Sequence, residues 1–193
     1  MSRDAIRFLA DVAARPLSTT VTRYQRLNLS RRRGNAVRQH LAAVNLIDPI
    51  QIATRTGQVV LYELSDDGRA VCDSTGIDPG PRPRASLEHQ FWVNRATRHF
   101  EEQGYEVEHE HFIKGNGAVD VLAQRPGERI AVEVETGKSD IKSNLANAHL
   151  GDFDRVVLVA TSPDAVTTCQ KAVEATHRLD HPTVELMTWL DFS

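Results

Sequence analysis

The sequence predicts an α/β (α+β) protein made of a small basic module followed by a larger acidic one. Residues 1–75 hold eleven Arg and no Lys against seven Asp and Glu, a net charge of +4, whereas residues 76–193 have a net charge of −7. Between the modules, residues 76–84 read GIDPGPRPR, a composition that forms neither a helix nor a central strand. We therefore expect domains at 1–75 and 87–193, joined by a linker at 76–86.

The composition is that of an ordinary globular protein, with 40% hydrophobic and 25% charged residues. No apolar run approaches the ~20 residues that span a bilayer, and the first residues carry acids rather than the apolar core of a secretion signal. Cys72 and Cys169 lie far apart in no metal-ligand spacing, which is typical of reduced thiols. We expect a cytoplasmic protein with no membrane partner.

The first module is predicted to contain three helices, a hairpin and a closing helix. A helix over residues 4–14 precedes a short one from Thr20 to Leu27, and Ser30 is placed to cap a third helix that ends near Asn45. Two β-branched runs, 50–53 and 59–64, flank a turn that contains Gly57, which is the signature of a hairpin. A further helix begins near Ser65. The inner side of the third helix is expected to carry Ala36, Val37, Leu41 and Val44.

Polar and basic side chains crowd the first half of the third helix, largely on its outer side: Arg31, Arg32, Arg33, Asn35, Arg38 and Gln39. Arginines bind phosphates or guanine edges, and Asn or Gln can pair with adenine. A merely solvated charged face is the alternative. The coincidence of this pattern with the basic charge of the module favours nucleic-acid binding.

The segments LSRRRGNAVRQHLAAVNLI and YELSDDGRAV resemble the winged helix-turn-helix family, and the resemblance covers most of residues 4–73. It implies that the third helix enters the major groove and that the hairpin wing lies along the nucleic-acid backbone. Arg31 to Gln39 would then be the recognition segment and Arg55 the wing contact. Winged helices also serve as protein-interaction or dimerisation domains, and this alternative stays open, as does RNA in place of DNA.

The second module is predicted to follow the order α-β-β-β-α-β-α-β. Its expected elements are a helix from Ser86 to about Gln103, strands at 105–113, 118–124 and 129–135, a helix from Ser139 to about His149, a strand at 155–161, a helix from Ser162 and a strand at 184–189. The run at 129–135 alternates apolar and polar residues, which predicts a strand with one buried face.

The hairpin between the second and third of these strands predicts a cluster of acids. Pro126-Gly127 favours a four-residue turn, and the register that this turn sets pairs residues whose numbers sum to 253. Asp120 then faces Glu133, with Glu135 beside them, while Val119, Val121 and Ala123 form an apolar layer on the other face. Opposed like charges are destabilising, so such a cluster either raises a pKa or holds a cation. Carboxylates without soft ligands suit Mg²⁺ or Mn²⁺, and a solvated acidic hairpin is the alternative.

Glu88 in the first helix, Asp120 in GAVDVLA and Glu133 in IAVEVETGK, on this order of elements, resemble the PD-(D/E)xK nucleases. The resemblance covers residues 87–189 and implies a restriction-endonuclease-like αβββαβ core with a mixed central sheet, similar to archaeal Holliday-junction resolvases. It implies metal binding by Asp120, Glu133 and Glu88. The family's lysine is replaced here by Glu135, and Lys138 is the nearest substitute, so both join the expected catalytic residues.

The resulting hypothesis is an Mg²⁺- or Mn²⁺-dependent DNA endonuclease that a winged helix targets to duplex or branched DNA. A non-catalytic DNA-binding or regulatory protein with a nuclease-derived domain is one alternative. An accessory module of a mobile-element recombination or ATPase complex is another. Nuclease domains that cut two strands often pair, so a homodimer is also considered.

Overall fold

The computed structural model describes residues 1–113, 117–137, 141, 143–145, 152–176 and 183–192. The chain forms two compact units. Unit 1 comprises Met1–Ile52 and Gln58–Leu87, and unit 2 comprises Ala53–Gly57 and Glu88–Ser193. In neither unit do the described residues include a helix with the length and apolar character needed to cross a membrane.

Unit 1 consists of helices around a two-stranded hairpin. Its elements are α1 (Arg3–Ala14), α2 (Thr20–Arg26), α3 (Arg31–Ala43), β1 (Ile47–Thr54), β2 (Gly57–Leu64) and α4 (Asp66–Ser74). The hydroxyl of Ser30 accepts a hydrogen bond from the Arg33 amide, and that of Ser65 accepts one from the Gly68 amide. These N-caps satisfy amides that have no partner within the helix, which explains why α3 and α4 begin where the sequence predicts.

Close packing between α2 and α3 decides which side of α3 is buried. Gly34 and Leu41 are buried in α3, whereas Ala36 and Val44, expected on the inner side, are exposed. A Cβ at position 34 would lie 2.6 Å from the Tyr24 ring, so only glycine permits this approach. The helix is therefore turned so that its glycine faces the aromatic ring.

A buried ionic network joins α1 to α2. Asp11 accepts a hydrogen bond of 2.5 Å from Nη1 of Arg23, which is fully buried, and one of 2.7 Å from Nε of Arg26. Burial acts to raise the pKa of Asp11, but the hydrogen bond from Arg26 and the charges of Arg23 and Arg26 together bring it below its usual value. Both arginines therefore serve the fold.

Unit 2 is built on a five-stranded mixed sheet in the order β3-β4-β5-β6-β7. Its elements are α5 (Leu87–Glu102), β3 (Glu106–Ile113), β4 (Gly117–Arg125), β5 (Glu128–Glu135), β6 (Arg155–Ala160), α6 (Pro163–Thr176) and β7 (Thr183–Thr188), and residues 141 and 143–145 are also helical. The first three strands are antiparallel, whereas β5, β6 and β7 are parallel. The α/β class and the mixed central sheet that the sequence predicts are thus confirmed.

The turn between β4 and β5 sets the predicted register. Pairs run from Arg125 opposite Glu128 to Val121 opposite Val132, and each pair sums to 253. Gly127 has a φ of 80°, the conformation that a type II turn requires at its third residue. The placement of the side chains between Val121 and Val132 follows from this turn, and Asp120 and Glu133 come directly after the last pair.

Candidate functional site

The acids lie where β4 and β5 separate. Backbone pairing between the two strands extends only as far as Val121 and Val132. Beyond that pair, Oδ2 of Asp120 accepts a hydrogen bond of 2.8 Å from the backbone amide of Val134. A side-chain carboxylate thus supplies the acceptor that a neighbouring strand would otherwise provide, and it is held beside Glu133.

The two acids at the end of β5, Glu133 and Glu135, are both buried, which differs from the sequence prediction of a strand with one buried face. Glu133 is 5% exposed and Glu135 is fully buried. The reason is the position of β5: β4 pairs with one edge, β6 pairs with the other in parallel, and residues on both of its faces are covered. The alternative of a solvated acidic hairpin is therefore wrong.

Burial and neighbouring charge perturb Glu133 strongly. Desolvation first, and then the charges of Asp120 and Glu135, raise its pKa from 4.5 to about 9, and a backbone hydrogen bond from Asp120 offsets only part of this rise. Without a cation, Glu133 thus keeps its proton at neutral pH. A group that is costly to ionise in this way is typical of a site that binds a cation or transfers a proton.

His89 on α5 contacts the same cluster, although sequence reasoning had placed Glu88 there. Nε2 of His89 lies 3.0 Å from Oδ2 of Asp120, and both side chains are about one-fifth exposed, at 22% and 23%. The hydrogen bond to Asp120 is the largest cause of a raised His89 pKa, burial opposes it, and the charges of Asp120, Glu135 and Glu110 add to it. Glu88 itself is half-buried and makes no hydrogen bond or ion pair with another described residue.

Glu135 occupies the place where the resemblance expects a lysine. Its Oε1 accepts a hydrogen bond of 3.0 Å from Nδ2 of Asn144, which lies in the helical segment 143–145. Asn144 was not singled out from the sequence, because nothing in the local pattern shows that its helix returns to the strand end. Lys138, the expected substitute for the lysine, lies outside the described residues.

The donor chemistry of this cluster suits a hard divalent cation. Among the described residues, no group of three or more His, Cys, Asp and Glu side chains is arranged to hold a metal. Mg²⁺ rarely requires such a cage, because it keeps several waters and is bound through one or two carboxylates together with substrate phosphates. Asp120 and Glu133 are two such carboxylates, so the residues present fit an ion that is completed by water and substrate.

The residues expected to contact nucleic acid differ in their surroundings. Arg31, Arg32, Arg33 and Gln39 of α3 are exposed, as is Arg55 in the turn between β1 and β2. Arg33 forms an ion pair with Asp4. Asn35 and Arg38 are only partly exposed, and Oδ1 of Asn35 accepts a hydrogen bond of 3.0 Å from the Tyr24 hydroxyl.

Comparison with known proteins adds no family to these observations. No protein-family model, no curated protein and no solved structure matches the chain.

Proposed function

We propose that the protein is a divalent-metal-dependent DNA nuclease in which unit 1 binds DNA as a winged helix and unit 2 hydrolyses a phosphodiester as a PD-(D/E)xK domain. The observation that carries the proposal is the proximity of Asp120 to the buried Glu133 at the point where β4 and β5 part. Burial of Glu133, and then the charges of Asp120 and Glu135, make its ionisation costly, with a pKa of about 9. A bound cation would offset that cost, and it is the simplest reason for such an arrangement.

Asp120 and Glu133 would hold Mg²⁺ or Mn²⁺. When bound, such an ion supplies an activated water and neutralises the charge that grows on the phosphate. The amide of Val134 and the ring of His89 both contact Oδ2 of Asp120. Among the described residues Oδ1 of Asp120 receives no hydrogen bond, so this oxygen is the one presented as a ligand.

The residues around the carboxylates position them. His89, protonated at Nε2, donates to Asp120 and fixes its rotamer from the side of α5. Asn144 holds Oε1 of Glu135, which keeps that carboxylate at the position of the family's lysine. Glu135, with Lys138 after the strand, would orient the attacking water or stabilise the leaving group, and Glu88 would assist from the adjacent position of α5.

The arrangement of unit 1 supports DNA as the substrate. Its net charge of +4 is carried by arginines, and the exposed ones include Arg31, Arg32 and Arg33 at the start of α3. Arg55 is also exposed, in the turn between β1 and β2. Guanidinium groups bind phosphate in a bidentate manner. Three helices followed by a hairpin and a further helix are the order expected of a winged helix.

Cleavage assays test the proposal directly. Duplex, single-stranded and branched DNA would be incubated with Mg²⁺, with Mn²⁺ or with EDTA, and the wild type is expected to cut at least one of them only when metal is present. Asp120→Asn and Glu133→Gln should abolish cleavage. Glu102→Gln is the matched control, because Glu102 is an exposed carboxylate of α5 away from the cluster. A wild type that binds DNA but cuts none of the three, or an Asp120→Asn variant that cuts as well as the wild type, overturns the proposal.

The buried Glu135 favours one alternative, a DNA-binding regulator with a nuclease-derived domain. A carboxylate in place of the lysine removes a positive charge from the reaction centre and adds to the ionisation cost of Glu133. Titration calorimetry with Mg²⁺ and Mn²⁺ separates the two functions. Metal binding by the wild type that is lost in Glu133→Gln supports the nuclease. A wild type that binds DNA but no metal supports the regulator.

A further inference from the structure

Unit 1 contains a groove on the side of α3 that faces α2 and β2. It has a volume of about 760 Å³, within the range of pockets that take small organic ligands. Arg31, Asn35 and Arg38 line it from α3, Thr20 and Tyr24 from α2, and Gln58 from β2. No Asp or Glu lines the groove, so its charged side chains are both arginines.

Arg38 is the residue that marks the groove as a binding site. Its Nε is buried and has no hydrogen-bond partner among the described residues. Neither Arg38 nor Arg31 forms an ion pair with a carboxylate of the described chain. A buried N–H without a partner carries a desolvation cost that is normally avoided, and an anion between the two arginines would remove it.

The floor of the groove is already fixed in place. The Tyr24 hydroxyl donates to Oδ1 of Asn35, which leaves Nδ2 of this amide as a free donor toward the groove. The hydroxyl of Thr20 lies 3.1 Å from the Val60 carbonyl and 2.9 Å from the Tyr62 hydroxyl. These contacts lower the ordering cost of binding, since the polar groups need not rearrange.

We propose that this groove binds the phosphate of a nucleotide, with Arg31 and Arg38 as its ligands. Two unpaired guanidinium groups and the free amide of Asn35 present only donors, and phosphate oxygens are only acceptors. The α3 N-terminus, at Arg31, adds positive potential on the same side. The apolar side chains of Val21, Val59 and Val60 in the same groove suit the sugar and base that accompany the phosphate.

The nucleotide has two possible sources, a free mononucleotide or one unit of a DNA strand. In the second case the groove would bind one phosphate of the DNA backbone, and this inference rests on the proposed binding of DNA by unit 1. In either case it is independent of hydrolysis, because every residue involved belongs to unit 1. Measurements in EDTA exclude cleavage and keep the two proposals apart.

The test compares the two arginines of the groove with one arginine of α1. The wild-type chain, Arg38→Gln, Arg31→Gln and the matched control Arg3→Gln, whose side chain is exposed and outside the groove, would be titrated with deoxyadenosine monophosphate, with deoxyadenosine and with a short DNA duplex. Arg31→Gln guards against a folding defect at the half-buried Arg38. We expect affinity for a phosphate-bearing probe to fall about tenfold or more in Arg38→Gln and Arg31→Gln and by less than about twofold in Arg3→Gln, as loss of a hydrogen bond to a charged partner predicts.

The probes identify the source of the phosphate. Binding of the monophosphate but not of the nucleoside, with the loss in Arg38→Gln, supports a free nucleotide, even if no duplex binds and the DNA-binding proposal fails. The same loss for the duplex alone supports a DNA phosphate. If no probe binds the wild type, or if the Arg31 and Arg38 variants bind every probe as Arg3→Gln does, the groove is not a phosphate site.

Discussion

Replacement of Glu133 by Gln is expected to remove most of the pH dependence of the stability of unit 2 when no divalent metal is present. Glu133 is 5% exposed, and burial followed by the charges of Asp120 and Glu135 raises its pKa from 4.5 to about 9. A carboxyl group with a higher pKa in the folded than in the unfolded chain holds its proton more tightly when folded. Its contribution is therefore most favourable below pH 4.5 and is lost as the pH rises toward about 9.

The structure gives the size of the effect. Across the interval between the two pKa values, each pH unit lowers the free energy of unfolding by about 1.4 kcal/mol, so about 4.5 pH units correspond to about 6 kcal/mol. About 3 kcal/mol of this is already lost at neutral pH. The full loss of about 6 kcal/mol lies within the range of the free energy of unfolding of natural domains, about 5–15 kcal/mol. Glutamine has the shape of the protonated acid and cannot ionise, so the Glu133→Gln variant should not show this pH-dependent loss of stability.

The tryptophans make the assay specific for unit 2. Trp92 and Trp189 are the two in the sequence, and both belong to this unit, with Trp92 fully enclosed at 1% exposure. Urea unfolding followed by tryptophan fluorescence in EDTA, from about pH 5 to about pH 9, reports the free energy of unfolding of unit 2. The free energies of unfolding of the wild type and of Glu133→Gln should be equal at the acidic end of this range, and their difference should grow steadily as the pH rises.

Two results bear on different parts of the reasoning. Curves that stay parallel over the whole pH range would refute the burial argument, because Glu133 would then ionise in the folded state as easily as in the unfolded chain. Added Mg²⁺ should stabilise the wild type at high pH and leave Glu133→Gln unaffected. If Mg²⁺ has no effect on either protein, the metal proposal fails while the burial argument stands.

Three further outcomes are expected. Asp11→Ala leaves the buried Arg23 without its carboxylate and should destabilise unit 1 by about 3–5 kcal/mol. The measurement is amide hydrogen exchange, which should become faster in α1 and α2, and an unchanged exchange pattern would contradict the prediction. Gly34→Ala places a methyl group against the tyrosine ring of α2 and should cost about 1–3 kcal/mol of unit 1 stability by calorimetry; a neutral effect would mean that the ring can move aside. His89 should titrate above 6.5 by NMR, chiefly because of its hydrogen bond to Asp120, and return toward that value in Asp120→Asn. The stabilisation from this pair is fully present below pH 6.5 and is lost as the pH rises through the folded pKa, and an unshifted wild-type His89 would show that the contact is absent.

Local rules in the sequence were sufficient for the strand register and for the helix starts. Pro126-Gly127 imposes a turn, and the turn fixes the pairing as far as Val121 opposite Val132, the last pair before Asp120 and Glu133. Ser30 caps α3 for an equally local reason. In both cases the contacts that determine the structure join residues only a few positions apart in the sequence, so the local pattern is enough to predict them.

Features that depend on distant parts of the chain were predicted incorrectly or missed. The alternation in β5 indicated one solvated face, but strand pairing on both edges and the covering of both faces bury Glu133 and Glu135. His89, rather than its neighbour Glu88, has a contact with Asp120, because the rotation of α5 over the sheet is set by packing and not by the helix sequence. The inner side of α3 was misplaced for a similar reason, since the approach of Tyr24 to Gly34 is a tertiary contact.

The carboxylate of Asp120 also acts as a hydrogen-bond acceptor for the sheet, because it accepts the hydrogen bond from the Val134 amide. Alanine at this position would remove both the negative charge and the hydrogen-bond acceptor of the buried Val134 amide. An inactive alanine variant would therefore not distinguish loss of the charge from local unfolding of the strand. Asparagine retains an oxygen that can accept from the amide while it cannot carry the charge. At this residue, truncation to alanine therefore tests folding and the proposed cleavage together, whereas exchange to asparagine tests the charge while the acceptor of the strand is kept.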